Sequence, residues 1–294
     1  MFFQRPDMPP AEDIGSCGAG GSGICPVALS VAGSDSGGGA GIQADLAAFA
    51  YFNVFGTTAI TAVTAQNPHT VTGICAVDTD TVCAQMEAVF DAFAVCAVKT
   101  GMLFSAEIIR AVAEVLGVRA SIPVVVDPVM VSTSGARLLR EDAVRVLVDS
   151  LLPLAGVVTP NLPEAEILCG RPLRGQQDVL DAAGEMARRF GAVFVIKGGH
   201  DDCSEAVDTV SDGVCTWQMI SPRVAARTTH GTGCSLSAAV AACIARGDDT
   251  AAALRNAKAY VLARLNHALR VGEHTWAMVP PPELATPDIR IESC

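Results

Sequence analysis

Residues 155–170 read AGVVTPNLPEAEILCG. AGVVTPN is a short apolar run ending at a proline turn, which suits a buried strand, and LPEAEILCG is a short helix closed by glycine. The same alternation continues in both directions. Upstream, PVALSVAG, FGTTAITAVTAQN, CAVKTGM and IPVVVDPV read as strands, the last broken by Pro128. Between them IQADLAAFAYF, TDTVCAQMEAVFDAF and SAEIIRAVAEVLG repeat apolar residues at helical spacing, with Thr79 or Thr81 near the second cap, and DAVRVLVDSLLP is helical. Downstream come the helix DVLDAAGEMARRFG, the strand AVFVIKGGH and a hairpin, AVDTVSDGVCTWQMI, turning at Asp212-Gly213. Two helices follow, HGTGCSLSAAVAACIARG and the long amphipathic DTAAALRNAKAYVLARLNHALRVG. The strands are continuous apolar runs, so the expectation is a mostly parallel sheet with helices on both faces.

The chain has 294 residues, 50% of them hydrophobic, and a net charge of -11. No polar linker divides its middle, so one domain is expected at 26–276, with a flexible leader at 1–25 and an irregular tail at 277–294. Acidic residues outnumber basic ones, 31 to 20, which argues against nucleic-acid partners. No apolar run is long enough to span a membrane. The leader has neither a secretory h-region nor a basic transit pattern, and its GxGxxG at 18–23 precedes any strand, so it is no dinucleotide fingerprint. Eleven cysteines without a CxxC pair point to reduced thiols, no zinc cluster and a cytoplasmic setting. Only three of the 20 basic residues are lysine: Lys99, Lys197 and Lys258.

Ligands of such sheets bind beyond the carboxyl ends of the strands, where the polar motifs of this chain fall. TTHGTGCSLSAA at 228–239 turns at Gly231 and Gly233 straight into a helix. Its exposed amides and dipole suit an anion, and Cys234 in the first turn gains thiolate character. The alternative is a plain glycine turn into a packed helix. AGSDSGGGAGIQADLAAF at 32–49 is a second strand–loop–helix, whose small residues admit a substrate and whose Asp35 or Asp45 orients a polar group; it lacks dehydrogenase glycine spacing, and the chain has no Walker A motif. Asp127, Asn161, Glu164 and Lys197 stand at strand ends. Carboxylates there suit Mg2+ and a lysine suits phosphate. Asp127 as a turn cap and Glu164 as a match to the helix dipole are the structural alternatives. Together these are the parts of phosphoryl transfer without a P-loop.

The series AGSDSGGGAGIQADL, TAQN, KTGM, VVDPVMVSTSG, TPNLPEAE, KGGH and THGTGCSLSAA resembles the hydroxymethylpyrimidine/phosphomethylpyrimidine kinases of thiamine biosynthesis, in the ribokinase-like superfamily, over about residues 26–273. The resemblance implies a ribokinase-like α/β fold, usually a homodimer. It also implies two successive phosphorylations by ATP and Mg2+, of 4-amino-5-hydroxymethyl-2-methylpyrimidine and then of its monophosphate. It places Asp45 and Gln66 on the pyrimidine, with Val63, Met102, Gly33 and Gly41 around it. Lys197, Lys258, Thr232 and Asn161 fall on the nucleotide side, with Asp127 and Glu164 near Mg2+. Cys234 approaches the acceptor hydroxyl, while amides from Gly231 and Gly233 to Cys234 stabilise the transferring group. The alternative within the same branch is a pyridoxal or pyridoxine kinase, against which Gln66 in VTAQN weighs. Loss of Cys234, Asp45 or Lys197 would have pointed to a non-catalytic binding protein, and all three are present. Lys99, in KTGM, has no assigned role.

Overall fold

The computed structural model describes residues 24–130, 139, 141–198, 204–283 and 288–294. The expected leader lies outside these residues up to position 23, as do VSTSG at 131–135 and the last two residues of KGGH.

The first half runs β1 (Val27–Asp35), α1 (Gly41–Tyr51), β2 (Phe55–Asn67), β3 (Thr70–Ala76), α2 (Thr79–Ala92), β4 (Val95–Thr100), α3 (Ala106–Gly117) and β5 (Val124–Val126). Next come α4 (Glu141–Val146), which continues through a π turn and a 3-10 turn to Leu154, then β6 (Val157–Val158), α5 (Leu162–Cys169), α6 (Gln176–Phe190) and β7 (Val193–Ile196). The chain ends with β8 (Glu205–Ser211), β9 (Thr216–Pro222), α7 (Thr232–Ala245), α8 (Thr250–Asn266), β10 (Leu269–Arg270), β11 (Trp276–Ala277) and β12 (Arg290–Ser293).

Ten strands form one sheet in the order β12-β9-β8-β7-β6-β5-β4-β1-β2-β3. The six from β7 to β2 pair in parallel, and both edges are antiparallel. Side chains alternate across the sheet between two apolar layers. Leu29, Val31, Val98, Val124, Val126, Val158, Phe194 and Ile196 join the layer that includes α2, α3, α5 and α6. Ala28, Ala97, Val125, Val157 and Val195 join the layer of α1, α7 and α8. Strands buried on both faces read as unbroken apolar runs, which is the pattern expected from the sequence.

Several local expectations need correction. The cap of α2 is Asp78, whose carboxylate accepts from the Thr81 amide and hydroxyl. β3 was not foreseen, because it lies on the outer edge of the sheet and most of its residues are exposed, so no apolar period marks it. The tail expected to be irregular carries β12, antiparallel to β9. The last long helix stops at Asn266, and β10 begins at Leu269.

Phe194 is fully buried in β7 and stacks on Phe190 of α6 at 5.7 Å. Phe194→Ala should destabilise the protein by about 3–5 kcal/mol, the usual cost of emptying an aromatic site in a core. Denaturant unfolding of the variant beside the unchanged chain measures it.

Candidate active site

Adjacent parallel strands end together, so the residues that follow them meet. Asp127 follows β5, Asn161 follows β6 and Lys197 follows β7, with a backbone bridge joining Asn161 to Lys197. Lys197 Nζ donates to Asp127 Oδ1 at 3.0 Å. Ser237 Oγ, from α7, donates to Asp127 Oδ2 at 3.2 Å. Burial lowers the Lys197 pKa, but Asp127 and Glu164 outweigh it and hold the ammonium protonated.

Glu164 is spent in a capping box: it accepts from the Asn161 amide at 2.9 Å, while Asn161 Oδ1 accepts from the Glu164 amide at 2.9 Å. Its other oxygen accepts from the Met130 amide at 3.3 Å. Burial raises its pKa, against the pull of Lys197. Glu164 thus caps the first turn of α5, and its carboxylate lies beside Lys197 and Asp127.

The start of α7 faces this cluster. A Cβ on Gly233 would lie 3.3 Å from Lys197 Nζ and 3.7 Å from Asp127 Oδ2, so the helix backbone comes close to both groups. Gly231 is the left-handed N-cap, with φ 86°. Thr232 donates its amide to the Thr229 carbonyl, and the first-turn amides of Gly233 and Cys234 have no backbone acceptor among the described residues. Unpaired amides and the helix dipole, beside a lysine, make an anion site.

On the acceptor side the predicted glycines pack against one another. Gly41 has φ 57°, and a Cβ there would lie 2.3 Å from the Gly33 carbonyl oxygen. A Cβ on Gly33 would meet the Met102 methyl at 2.5 Å. The Met102 carbonyl in turn accepts from Thr61 Oγ1. Gln66 sits at a register shift in β2, its amide and carbonyl both bonded to Ser36 Oγ and its side-chain oxygen to Thr64. Val63 opposes Ser34 and is half exposed.

The Gly41 amide lies near enough to the Cys234 sulfur to favour its thiolate form slightly. Burial pushes its thiol up to about 11, more than the nearby Lys99 lowers it, and Asp45 and Asp127 add to the rise. This runs against the expectation of a thiolate: burial outweighs the lowering by Lys99 and by the Gly41 amide.

Two further expectations change. Asp45 is fully buried, with Lys99 Nζ donating to both its oxygens at 2.8 Å and Ser30 Oγ to one of them at 2.6 Å. Burial raises the Asp45 pKa, Lys99 opposes this, and the pair stands as ammonium and carboxylate. Asp45 thus spends its carboxylate on Lys99 and Ser30, near enough to Cys234 to act on it electrostatically, rather than presenting an open hydrogen-bonding edge. Lys258 is likewise committed, to Asp208 Oδ2 at 2.8 Å and the Ala206 carbonyl at 3.1 Å. Asp208 accepts from the Gly198 amide, so Lys258 steadies the residue after Lys197 instead of presenting its charge to a ligand.

Sequence reasoning missed His230, Ser235 and Arg264. His230 Nε2 lies 3.0 Å from Asp35 Oδ2. Ser235 Oγ donates to the Gly231 carbonyl at 2.6 Å and accepts from the buried Arg264 guanidinium, which fixes the start of α7. No motif spacing links positions so far apart; only the scarcity of lysine had marked Lys99. A separate cavity of about 460 Å³, lined by Tyr51, Phe52, Arg246, Asn256, Pro282 and Glu283, lies at the far ends of α1 and α7, away from all these groups.

Comparison with known proteins places the chain in a family. The sequence profile of the family "Phosphomethylpyrimidine kinase" matches residues 35–279. The hydroxymethylpyrimidine/phosphomethylpyrimidine kinase of Rhizobium meliloti is 49% identical over 249 residues, 83% of this chain and 92% of that protein. Among solved structures, pyridoxal kinase from Staphylococcus aureus in complex with AMP-PCP and pyridoxal superposes with TM-score 0.83 at 30% identity, covering 92% of this chain and all of that one. Phosphomethylpyrimidine kinase from Clostridium difficile gives TM-score 0.72 at 36% identity, over 81% of this chain and 98% of that one. The chain belongs to the phosphomethylpyrimidine kinase family.

Proposed function

We propose that the protein phosphorylates 4-amino-5-hydroxymethyl-2-methylpyrimidine and then its monophosphate, with ATP and Mg2+, in the cytoplasm. The observation that carries this reading is the meeting at Cys234. There the α7 start, with unpaired amides beside Lys197, touches the glycine loop at Gly41. An acceptor hydroxyl held by that loop lies against a site built for phosphate.

In this reading Gly33, Gly41, Met102, Val63 and Gln66 shape the acceptor pocket, and the Gln66 amide pairs with the aminopyrimidine edge. Lys197 and the amides of Gly233 and Cys234 hold the charge of the transferring group, with Thr232 and Asn161 alongside. Asp127 and Glu164 are two carboxylates close enough to influence each other electrostatically. Among the described residues no three such ligands converge. Two suit an ion that keeps most of its water, as Mg2+ does, and its chemistry there is to neutralise phosphate oxygens. Cys234 meets the acceptor as a thiol, since a loose transition state asks little of a base. Among the described residues no helix is long and apolar enough to cross a membrane. Phe55, Ile74 and Phe93 are exposed apolar residues on or beside the β2–β3 edge, which supports a homodimer joined there. The solved pyridoxal kinases keep pyridoxal as the second acceptor to test.

Purified protein with Mg-ATP should transfer phosphate to the hydroxymethyl pyrimidine and to its monophosphate, and more slowly to pyridoxal. Product analysis by mass spectrometry decides it, and no transfer to either pyrimidine sinks the proposal. Cys234→Ala should lower kcat about 10-fold with little change in KM, the loss expected when one thiol contact to the acceptor worth about 1.4 kcal/mol in the transition state is removed. A thiol that titrates at about 11 stays protonated through neutral pH. Turnover should therefore show no rise attributable to Cys234 between about pH 7 and pH 9, and its alkylation rate should still be climbing at the upper end. A Cys234-dependent inflection near about pH 7 would contradict the protonated thiol.

A further inference from the structure

The two glycine loops come from distant parts of the chain, and their contact is unusually close. A Cβ on Gly231 would lie 1.8 Å from the Gly39 carbonyl oxygen, and one on Gly39 would lie 2.5 Å from His230 Cδ2. Backbone therefore rests on backbone, with the imidazole against the glycine loop. Contact alone does not fix how the loops slide on each other, because glycine offers no side chain to interlock.

Asp35 supplies the missing constraint. It is buried at the end of β1, and its carboxylate organises the whole loop. Oδ1 accepts from the Gly37 amide at 2.8 Å, and Oδ2 accepts from the Gly39 and Ala40 amides at 3.1 and 2.9 Å. His230 Nε2, 3.0 Å from Oδ2, is the one partner among the described residues that comes from the other loop. Burial alone raises the Asp35 pKa, but the His230 bond and the Ala40 and Gly37 amides bring it below its ordinary value. An ionised carboxylate only accepts, so the imidazole proton is on Nε2. His230 directly precedes the N-cap of α7, and Cys234 follows within the first turn.

We infer that Asp35 and His230 form a latch that fixes the α7 start, and with it the phosphoryl-binding amides, at the reacting distance from the acceptor loop. They are positioning residues: His230 acts through Gly231 and its first-turn amides, and Asp35 through Gly37, Gly39 and Ala40. The inference rests on the kinase reading above and adds to it what sets the alignment of donor and acceptor. Misalignment of about 1 Å between reacting groups costs on the order of 100-fold in rate while leaving each substrate's own contacts in place.

The test is steady-state kinetics on His230→Ala, His230→Gln, Asp35→Asn and the Asp35→Asn/His230→Ala double variant, with thermal unfolding of each. His230→Ala should lose about 100-fold in kcat, with KM for ATP and for the pyrimidine within about threefold of the unchanged enzyme. Glutamine places an amide donor near Nε2 and should restore most of the loss. The double variant should be no slower than the slower single one, because the two residues act as a unit. A kcat for His230→Ala within about threefold of the unchanged enzyme, a loss confined to KM, or additive losses in the double variant would each overturn the latch. If His230→Ala unfolds, the better folded pair of His230→Gln and Asp35→Asn carries the decision: high activity in the first and low activity in the second supports it, and the reverse refutes it. The unchanged enzyme assayed alongside separates the two readings, since only failure of the kinase reading makes it inactive.

Discussion

Alternation along β1 and β4 to β7 sends side chains into two apolar layers, each sealed by helices, so a polar side chain has little room along the strands. It can stand at a carboxyl end, as Asp127, Asn161 and Lys197 do, or it must bring its own partner into the interior. The ends collect the chemistry because the sheet is parallel: neighbouring strands finish on the same side, and the turns after β5, β6 and β7 meet the start of α7. α1 starts at that same edge, with the Gly41 amide near Cys234. The site is a consequence of where this sheet can tolerate polarity.

Lysine shows what happens when charge does enter. All three lysines of the chain pair with an aspartate: Lys99 with Asp45, Lys197 with Asp127 and Lys258 with Asp208. A buried ion pair is a poor source of stability but a strong constraint, because losing either partner strands an unpaired charge. Lys99 and Asp45 are both without solvent exposure, 54 residues apart in sequence, and they tie β4 to α1 within electrostatic reach of Cys234. Lys258 ties α8 to β8 and, through Asp208, to Gly198. Two of the three lysines thus shape the surroundings of the site, and only Lys197 stands where a ligand's charge would reach it.

This division explains what the sequence could show. Patterns carried by neighbours in the chain were legible: the apolar strands, the glycine loops at 34–41 and 231–233, and the polar residues at the strand ends. The parallel sheet with helices on both faces followed from them. Features that depend on distant partners were not. β3 and β12 are edge strands made by pairing rather than by pattern. Asp45 reads as a free carboxylate until Lys99 is placed beside it. The Cys234 thiol reads as activated by its helix, and only the packing around it shows desolvation prevailing. Lys258 kept its charge on paper and lost its freedom in the fold.

The balance of charge around α7 bears on how such a site admits phosphate. Asp127 and Glu164 together outnumber Lys197, so the cluster is net negative if both carboxylates are ionised. Burial raises Glu164 against exactly that outcome, and Lys197 resists it. A phosphate chain entering here meets attraction only from Lys197, from the helix dipole and from amides held open by Gly231 and Gly233. The proposed Mg2+ would reverse the local sign and leave both carboxylates ionised, which removes the penalty of their proximity. The negative cluster favours the metal, and the metal's charge in turn favours the phosphate. The same reasoning gives the thiol its place: a neutral group at Cys234 adds no further negative charge where the transferring oxygens already crowd the site.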